Sequence, residues 1–462
     1  MGSSVGIIGA GISGLTLAYE LLDKGYEVTV FEAGSEPGGA MKSRRTDGGW
    51  VTDIGPNTIM ARTTNLQNLV DRLGITDRQV FANKESKKRY VVRNSAPVAL
   101  PSSAAEFLST PLFSASAKLN LLKEPFIPAW KNAYEETLAD FVQRRLGREF
   151  LDYAINPFVA GVYAGRPETL SVRHAFPRLY QVEQEYGSLI LGQILGARKR
   201  RKRDDVPKTE SKLFSFDHGT GVLTDALGKA LGDRLKTEHK ITSLEEGDGK
   251  WTLTYKNSDK EAQSTFDRIV LTSPVHKFDD IGFQLNGTFP KETLQRIWYP
   301  PVTSMVLGFH RDQVRHPLDG FGMLVPAAEP FKILGTLFSS TLFPYRAPKD
   351  YVTLTTFVGG ARYPKLALKS RDEIKSIVLR DLEHLLGVEG APVFEQATQW
   401  KKAIPQYDLN YGTCKDLMDD VEQQHPGFYF AGNYRGGISV SDCITNAQLL
   451  AERIRKEYEP AY

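Results

Sequence analysis

Several features that would place this chain in a special class of protein are scarce in its sequence. Only two cysteines, Cys414 and Cys443, occur in 462 residues, too few for a disulfide framework and too far apart for a C-x-x-C motif. The 58 basic and 55 acidic residues leave a formal net charge of +3, which gives no support to nucleic-acid binding through bulk charge. We therefore expect a folded protein of a reducing compartment that binds no nucleic acid.

Long apolar segments and metal-binding motifs are missing as well. No stretch offers the roughly 18 uncharged apolar residues that a membrane-spanning helix needs. The eight histidines form neither H-E-x-x-H nor a Cys/His cluster, so no metal site is predicted, and no G-x-S-x-G elbow indicates a hydrolase. Because Met1 runs almost directly into an apolar strand, we predict no signal or transit peptide and only peripheral membrane contact.

The first part of the chain carries a nucleotide-binding pattern. "VGIIGAGISGLTLAYELLDKGYEVTVFEAG" predicts a strand, a glycine turn, a helix and a second strand. Gly9, Gly11 and Gly14 fit G-x-G-x-x-G, in which the glycines allow a tight turn, close approach of a pyrophosphate, and close packing of helix on strand. Glu32 follows the second strand, where its carboxylate can accept ribose hydroxyls. The pattern predicts a dinucleotide at the helix N-terminus.

A second glycine turn stands near the other end of the chain. In "GFYFAGNYRGGISVSDCITNAQLLAERI" an apolar strand leads into Gly432 and Asn433, and a helical pattern follows from about Val440. The positive end of such a helix suits the part of a flavin where charge accumulates on reduction. The pairing of the two turns is similar to flavoproteins of the amine oxidase superfamily, which favours FAD over NAD. Since no second G-x-G-x-x-G unit occurs, an oxidase is the simplest expectation.

These patterns predict an α/β fold. We expect a Rossmann-like FAD-binding domain assembled from discontinuous segments, a strand-rich substrate domain, and a helical lobe that faces a membrane. The predicted boundaries are 1–85, 211–285 and 423–462 for the FAD-binding domain, 86–97 and 286–422 for the substrate domain, and 98–210 for the lobe.

The lobe carries the features that suggest a membrane. "GSLILGQILGARKRRKR" has an uncharged run from Gly187 to Ala197, followed by six consecutive basic residues, Arg198 to Arg203. An apolar helix end beside a polybasic cluster can seat at an anionic bilayer surface. A buried helix end with a solvated basic loop is the competing interpretation, and a nuclear address is a weaker third one.

A local cluster of positive charge occurs at residues 87–93, "KKRYVVR". Val and Tyr favour a strand, in which Arg89, Val91 and Arg93 would share one face while Tyr90 and Val92 share the other. A solvated surface strand and an anchor for an anionic substrate both fit this pattern.

Longer strings resemble a known family. "NPFVAGVYAGRPETLS", "GFGMLVP", "LGTLFSSTLFPYRAP", "TTFVGGAR" and "GFYFAGNYRGGISV" are similar to oxygen-dependent, FAD-containing protoporphyrinogen IX oxidases, most of all the plant mitochondrial branch. The resemblance extends over nearly the whole chain. It implies oxidation of protoporphyrinogen IX to protoporphyrin IX, the penultimate step of haem and chlorophyll synthesis, by successive hydride transfers to FAD with O2 as acceptor.

The resemblance also implies which residues contact the substrate. Arg89 matches the family's propionate-binding arginine, and Gly161 matches the glycine whose carbonyl faces the pyrrole nitrogens. Leu324 and Leu337 match the aliphatic pair that sandwiches a pyrrole ring, and Phe357 matches the stacking aromatic residue. No side chain is assigned as catalytic, because the hydride passes to flavin N5.

For the cofactor, the family adds the paired glycines of "EPGGAMKS", the backbone around Ile241 beside the adenine, and the start of the last helix. The predicted FAD-binding residues are Gly9, Gly11, Gly14, Glu32, Gly38, Gly39, Ile241, Gly432, Asn433 and Val440. The chain departs from the family at Ala40, where a basic residue is frequent, and at Pro56, where the family has alanine. Both departures lie at the expected flavin edge.

Partners and location follow from the same resemblance. Product transfer to the metal-chelating enzyme of haem synthesis is implied, and a homodimer is compatible with the family. A eukaryotic protein would lie at the mitochondrial inner membrane, and a bacterial or fungal-like one at the cytoplasmic side of a membrane. Alternatives that share the fold are a coproporphyrinogen III oxidase, a flavin amine oxidase or carotenoid desaturase, and a non-enzymatic binding protein of the Rab GDP-dissociation inhibitor kind.

Overall fold

The structure is a computed structural model that describes residues 3–61, 64–130, 134–202, 212–258 and 260–458, with the backbone alone for residues 197–202 and 458. Its strands are β1 Ser4–Ile8, β2 Glu27–Phe31, β3 Ser43–Arg45, β4 Val51–Asp53, β5 Ile59–Ala61, β6 Gln79–Phe81, β7 Lys88–Arg93, β8 Ala96–Ala99, β9 Lys212–Phe216, β10 Leu235–Lys236, β11 Lys240–Gly247, β12 Lys250–Asn257, β13 Lys260–Phe266, β14 Arg268–Leu271, β15 Gly282–Gln284, β16 Val302–His310, β17 Gly320–Leu324, β18 Ile333–Phe338, β19 Tyr351–Gly359, β20 Phe394–Trp400 and β21 Phe428–Phe430.

The helices of the described residues fall into three stretches of the chain, at its start, between residues 104 and 202, and in its second half. They are α1 Ile12–Asp23, α2 Thr64–Arg72, α3 Ala104–Ser109, α4 Ala115–Asn120, α5 Leu138–Arg145, α6 Arg148–Phe150, α7 Asn156–Tyr163, α8 Val172–Ala175, α9 Pro177–Tyr186, α10 Leu189–Lys202, α11 Gly221–Leu231, α12 Lys291–Leu294, α13 Ser339–Leu342, α14 Pro364–Ala367, α15 Arg371–Leu386, α16 Tyr411–Gln424 and α17 Val440–Tyr458. A π-helical turn, Leu151–Ile155, joins α6 to α7.

A five-stranded parallel sheet has the order β10-β2-β1-β14-β21. Apolar residues of β1 and β2 pack with those of α1, α11 and α17 in one buried cluster. Strand order reverses at β1, and ligands of open α/β sheets bind outside the carboxyl ends of the strands at such a reversal. The predicted α/β class and the parallel sheet are confirmed. The strand order indicates that a ligand binds at the carboxyl end of β1.

A seven-stranded sheet has the order β20-β16-β19-β18-β17-β7-β8 and is antiparallel except between β17 and β7. One face is covered by α15, whose Val378 and Leu382 pack in a buried cluster with Tyr90, Val92 and Met323 of the sheet. Because side chains alternate along a strand, Arg89 and Leu324 project from the opposite face. That opposite face is free to form a binding surface.

Three smaller sheets complete the strand structure of the described residues: β13-β12-β11-β15, β5-β9-β6 and β3-β4. In the four-stranded sheet, β11, β12 and β13 lie between β10 and β14 in the chain, and β15 follows β14. The three-stranded sheet joins β9, which precedes α11, to two short strands from the first part of the chain. Distant segments of the chain are therefore interleaved around the parallel sheet.

Helices α3 to α10 form a group beside β7 and β8, held from within by buried charge. Arg145 and Glu183 are fully buried and 2.5 Å apart, and Glu124 accepts hydrogen bonds from Ser188 Oγ at 2.5 Å and from the Leu189 N–H at 2.9 Å. Ser188 and Leu189 lie at the start of α10. The Glu124 carboxylate therefore accepts hydrogen bonds that the first turn of α10 cannot make within the helix. Among the described residues, no helix combines the length and apolarity needed to cross a bilayer.

Candidate functional site

The turn after β1 has the backbone geometry that the glycine pattern requires. Gly9 has a φ of +110°, and a Cβ on Gly14 would lie 2.1 Å from the Gly9 carbonyl oxygen, so the start of α1 packs directly on the turn. Gly11 precedes α1 without a side-chain cap, and a Cβ there would meet nothing within 4 Å. The first turn of α1 thus presents backbone N–H groups toward open space, as a phosphate-binding helix end does.

Glu32 lies at the carboxyl end of β2, beside this turn. Its Oε2 accepts a hydrogen bond from the Ala10 N–H at 2.9 Å, and its Oε1 accepts one from the Gly34 N–H at 2.8 Å. A carboxylate has about four lone-pair sites, so two acceptor positions remain for ribose hydroxyls. The two backbone contacts fix the carboxylate at the point where strand order reverses.

The paired glycines Gly38 and Gly39 lie against the same turn. The Gly38 N–H donates to the Ala10 carbonyl at 2.7 Å, and both glycines have positive φ, +106° and +58°. A Cβ on Gly39 would lie 3.2 Å from the Gly11 Cα. Glycine at these positions keeps the backbone of the second segment in contact with the first.

Ile241 is buried in β11, two residues after a contact with Glu32. The His239 N–H donates to the Glu32 carbonyl at 2.8 Å, and Ile241 packs in the same apolar cluster as Phe31. The structure therefore places Ile241 on the Glu32 side of the turn.

The second glycine turn leaves the same edge of the parallel sheet, after β21. Thr272, at the end of β14, lies between the two turns: its Oγ1 donates to the Gly9 carbonyl at 2.8 Å, and a Cβ on Gly432 would be 3.3 Å from its carbonyl oxygen. Asn433 and Val440 follow, and Val440 begins α17. Sequence reasoning missed Thr272, since nothing in its local pattern marks it.

The predicted substrate residues share one face of the seven-stranded sheet. Cross-strand pairing places Gly322 between Arg89 and Leu337, and Gly335 between Leu324 and Phe357. Leu324, Leu337 and Phe357 are partly exposed, whereas most of their strand neighbours are buried.

The glycine between each pair has no side chain, so the face has a shallow, mostly apolar floor with Arg89 at one edge.

Helix α7 lies over this face. A Cβ on Gly161 would be 2.5 Å from Leu324 Cδ2, so the helix backbone approaches the leucine directly. Arg362 links the two elements, donating to the Val325 carbonyl and to Asn156 Oδ1, both at 2.7 Å. Burial lowers the pKa of Arg362 to about 10. Sequence reasoning missed this arginine, although it ends the quoted string "TTFVGGAR".

The two arginines of β7 have different surroundings. Arg93 donates to Glu149 at 2.8 Å and lies 3.8 Å from the centre of the Tyr153 ring. Arg89 is exposed and contacts the Phe321 ring at 5.3 Å, and among the described residues no carboxylate lies within ion-pair distance of it. Arg89 is therefore available to an anionic ligand, whereas Arg93 is already neutralised.

A buried ion pair joins the first part of the chain to the seven-stranded sheet. Arg346 donates to Asp53, and to the Asn57 carbonyl at 2.7 Å. Asp53 Oδ1 also accepts from the Thr220 N–H at 2.8 Å and from Ser43 Oγ at 2.6 Å. The partners come from distant segments, so no local pattern could identify the pair, although Arg346 belongs to the quoted string "LGTLFSSTLFPYRAP".

The residues present fit a flavin dinucleotide. The uncapped start of α1 and the open side of Gly11 suit a pyrophosphate, the fixed Glu32 carboxylate suits ribose hydroxyls, and a second glycine turn flanks the same edge. This arrangement defines the class of the protein, an α/β protein with a dinucleotide-binding site at the carboxyl edge of its parallel sheet.

Comparison with known proteins agrees with that class. Residues 12–455 match the family model of flavin-containing amine oxidoreductases. Protoporphyrinogen oxidase 2, chloroplastic/mitochondrial, of Arabidopsis thaliana is 38% identical over 480 residues, covering 98% of this chain and 94% of the relative. The mitochondrial protoporphyrinogen oxidase of Nicotiana tabacum is 38% identical over 470 residues, covering 96% and 92%.

A solved structure shares the fold. A crystal structure of a protein from Exiguobacterium sp. 255-15 has a TM-score of 0.82 at 23% identity, covering 99% of both chains. The chain belongs to the flavin-containing amine oxidoreductase family and, within it, to the protoporphyrinogen oxidases. The resemblance stated from the motifs is thereby confirmed.

Proposed function

We propose that this chain oxidises protoporphyrinogen IX to protoporphyrin IX, using bound FAD and molecular oxygen as the electron acceptor. The observation that carries the proposal is the sheet face on which Leu324, Leu337 and Phe357 are partly exposed beside Arg89, which is exposed and has no ion-pair partner among the described residues. A macrocycle of four pyrroles that carries carboxylate side chains needs an apolar floor and a cation at its edge. Membership of the protoporphyrinogen oxidases supports the same substrate.

In this proposal the chain's residues position the substrate. Arg89 binds a propionate in bidentate fashion, a charge-assisted contact that contributes about 1.5–3 kcal/mol. The three apolar side chains orient the ring and exclude water, and the backbone of Gly161 approaches from α7. Bound FAD supplies the hydride acceptor. No acid–base dyad is required, because pyrrole nitrogens delocalise the charge left when a bridging methylene loses hydride.

The predicted domains are part of the proposal. The FAD-binding domain would comprise 1–85, 211–285 and 423–462, and the substrate domain 86–97 and 286–422. Support comes from β1, β2, β10, β14 and β21, which meet in one parallel sheet, and from β7, which pairs with β17 far along the chain. The ten predicted FAD-binding residues and the five substrate residues are proposed with their roles unchanged.

We also propose that residues 98–210 form a lobe that contacts a membrane. Large apolar side chains are unusually exposed there, with Leu122 at 70% and Phe126 at 87%. Ile194 and Leu195 of α10 are exposed as well. The basic residues 198–203 fall outside the described side chains, so their part in the contact stays a prediction from sequence.

The test of the function is aerobic turnover followed by porphyrin fluorescence, with protoporphyrinogen IX and coproporphyrinogen III compared side by side. We expect flavin absorbance in the purified protein and faster production of protoporphyrin. Faster production of coproporphyrin would show that the chain is a coproporphyrinogen III oxidase instead. A protein that holds no flavin and produces neither porphyrin would contradict an enzymatic role altogether.

A further inference from the structure

Two adjacent residues, Gln406 and Tyr407, lie between the flavin side and the substrate side of the site. They belong to an irregular segment between β20 and α16, and both side chains are buried. No motif marks them in the sequence, and none of the roles proposed above uses them. Their hydrogen bonds nevertheless reach two functional elements.

Tyr407 holds the second glycine turn. Its hydroxyl donates to the Asn433 carbonyl at 2.6 Å and accepts from the Gly437 N–H at 2.9 Å, so one oxygen atom bridges the turn. The neighbouring Tyr411 stacks on the Tyr407 ring at 4.1 Å and donates to the Tyr434 carbonyl at 2.8 Å. Burial raises the pKa of Tyr407 well above its ordinary value, so the hydroxyl keeps the proton that it donates.

Gln406 holds the substrate-side helix. Its Nε2 donates to the Tyr163 carbonyl at 2.8 Å and to the Ile404 carbonyl at 3.0 Å, and Tyr163 is the last residue of α7, two residues after Gly161. A Cβ on Gly165 would lie 2.4 Å from Gln406 Oε1, so the chain after α7 packs tightly on the same side chain. The end of α7 is therefore fixed by Gln406.

The backbone between the two side chains is itself restrained. The Ser171 N–H donates to the Tyr407 carbonyl at 2.9 Å, and the Gln406 N–H donates to the Trp298 carbonyl at 2.8 Å. Because adjacent Cα atoms have a fixed separation of about 3.8 Å, the turn held by Tyr407 and the helix held by Gln406 cannot move apart independently.

We propose that Gln406 and Tyr407 are positioning residues that form a strut between the glycine turn beside the flavin and the helix that carries Gly161. This rests on the proposed function, since it assigns the two sides of the strut to FAD and to the macrocycle. The strut sets the spacing between hydride donor and acceptor, a quantity on which hydride transfer depends steeply.

The cofactor arm of the test is Tyr407→Phe, which keeps the ring and removes the bridging hydroxyl. We expect the FAD dissociation constant, measured by fluorescence titration of the flavin-depleted protein, to rise about tenfold, because two groups of the turn lose their partner. Tyr429→Phe is the matched control: Tyr429 lies in β21, but its hydroxyl donates to Glu457 in the last turn of α17 at 2.6 Å and has no hydrogen bond to the glycine turn among the described residues. FAD affinity of the control should match that of the wild type.

The substrate arm is Gln406→Met, which keeps the length of the side chain and removes both donors. We expect KM for protoporphyrinogen IX to rise several-fold while the FAD dissociation constant changes less than in Tyr407→Phe. If KM and the FAD dissociation constant changed by equal factors in both variants, the cause would be a general loss of structure. That result would contradict the proposed strut.

A measurement on the wild-type holoenzyme keeps the proposal testable if a variant does not fold. Hydrogen exchange should show the Gly437 amide protected, since it donates to a buried hydroxyl. Exchange of this amide at the rate of an unprotected amide would contradict the proposed strut. Equal FAD affinity of Tyr407→Phe and Tyr429→Phe would contradict it as well. Absence of flavin from the wild-type protein would instead contradict the proposed function. Hydrogen exchange would then still show whether the Gly437 N–H donates to the Tyr407 hydroxyl.

Discussion

At the scale of single residues, the same side-chain type has different roles according to its neighbours. Arg89 and Arg93 stand on one face of β7, as strand alternation predicts. Arg93 is held by Glu149 and the ring of Tyr153, whereas Arg89 lies beside the Phe321 ring and has no carboxylate within ion-pair distance in the described part of the chain. Of the two arginines in the cluster of positive charge, one is thus an available cation and the other is structural.

We predict that Arg89→Ala raises KM for protoporphyrinogen IX by about tenfold or more, because a bidentate carboxylate contact is lost. Arg93→Ala should change KM much less and should instead lower the thermal midpoint, since Glu149 loses its cationic partner and keeps only the hydrogen bonds from Ser114. Steady-state kinetics and a thermal melt of both variants provide the check. Equal KM values for the two variants would mean that the strand supplies only a general positive field.

Residue patterns were sufficient for the first glycine turn and insufficient for the buried ion pair. Gly9, Gly11, Gly14 and Glu32 lie close together in sequence, so their spacing alone predicts a turn and an acid at one edge of a sheet. Asp53 and Arg346 are 293 residues apart, and their contact depends on how two sheets are packed. A contact of that kind has no signal in a single sequence.

At the scale of elements, the binding face depends on irregularities in two neighbouring strands. Pairing shifts register between Gly320 and Gly322 of β17 and between Ile333 and Gly335 of β18. A register shift changes which side chains share a face. The sequence predicted strands in this region, but it could not predict these shifts, because they arise from pairing between strands.

The contact between α7 and β17 gives a prediction at this scale. Gly161→Ala would place a Cβ 2.5 Å from Leu324 Cδ2, so the leucine must move, and KM should rise several-fold. In a Leu324→Ala background that clash is absent, and the added effect of Gly161→Ala should largely vanish. A double-mutant cycle should give a coupling energy of about 1 kcal/mol. If the effects of Gly161→Ala and Leu324→Ala on KM were additive, the two residues would not be in contact, and the prediction would be contradicted.

At the scale of the whole molecule, exposed apolar residues are concentrated in the helical lobe. Leu119, Leu122 and Phe126 lie on neighbouring turns of that lobe, and Leu191 and Ile194 lie on α10. Glu124 connects these elements, because it lies on the turn that carries Leu122 and Phe126 and accepts hydrogen bonds from Ser188 and Leu189 at the start of α10. Composition could predict that the lobe is helical, but only the folded structure shows which of its apolar residues are exposed.

We predict that the double variant Leu122→Ser and Phe126→Ser loses at least about tenfold in affinity for vesicles that contain anionic lipid, because two large apolar side chains no longer enter the bilayer. Turnover in detergent should be unchanged. A matched control changes Val393 and Leu449, two exposed apolar residues outside the lobe, to serine. Cosedimentation is the measurement, and equal binding of all three proteins would contradict a membrane role for this surface.

The parallel sheet takes its last strand, β21, from residues 428–430, although its central strand β1 comes from residues 4–8. A ribosome translates β14 at residues 268–271 and its partner β21 only at residues 428–430, so β14 presents an open edge to the cell while the residues between them are made. The second glycine turn and α17 are translated later still. Secure binding of the flavin therefore has to wait until β21, the second glycine turn and α17 have been translated, and a nascent chain depends on whatever protects the edge of β14 until then.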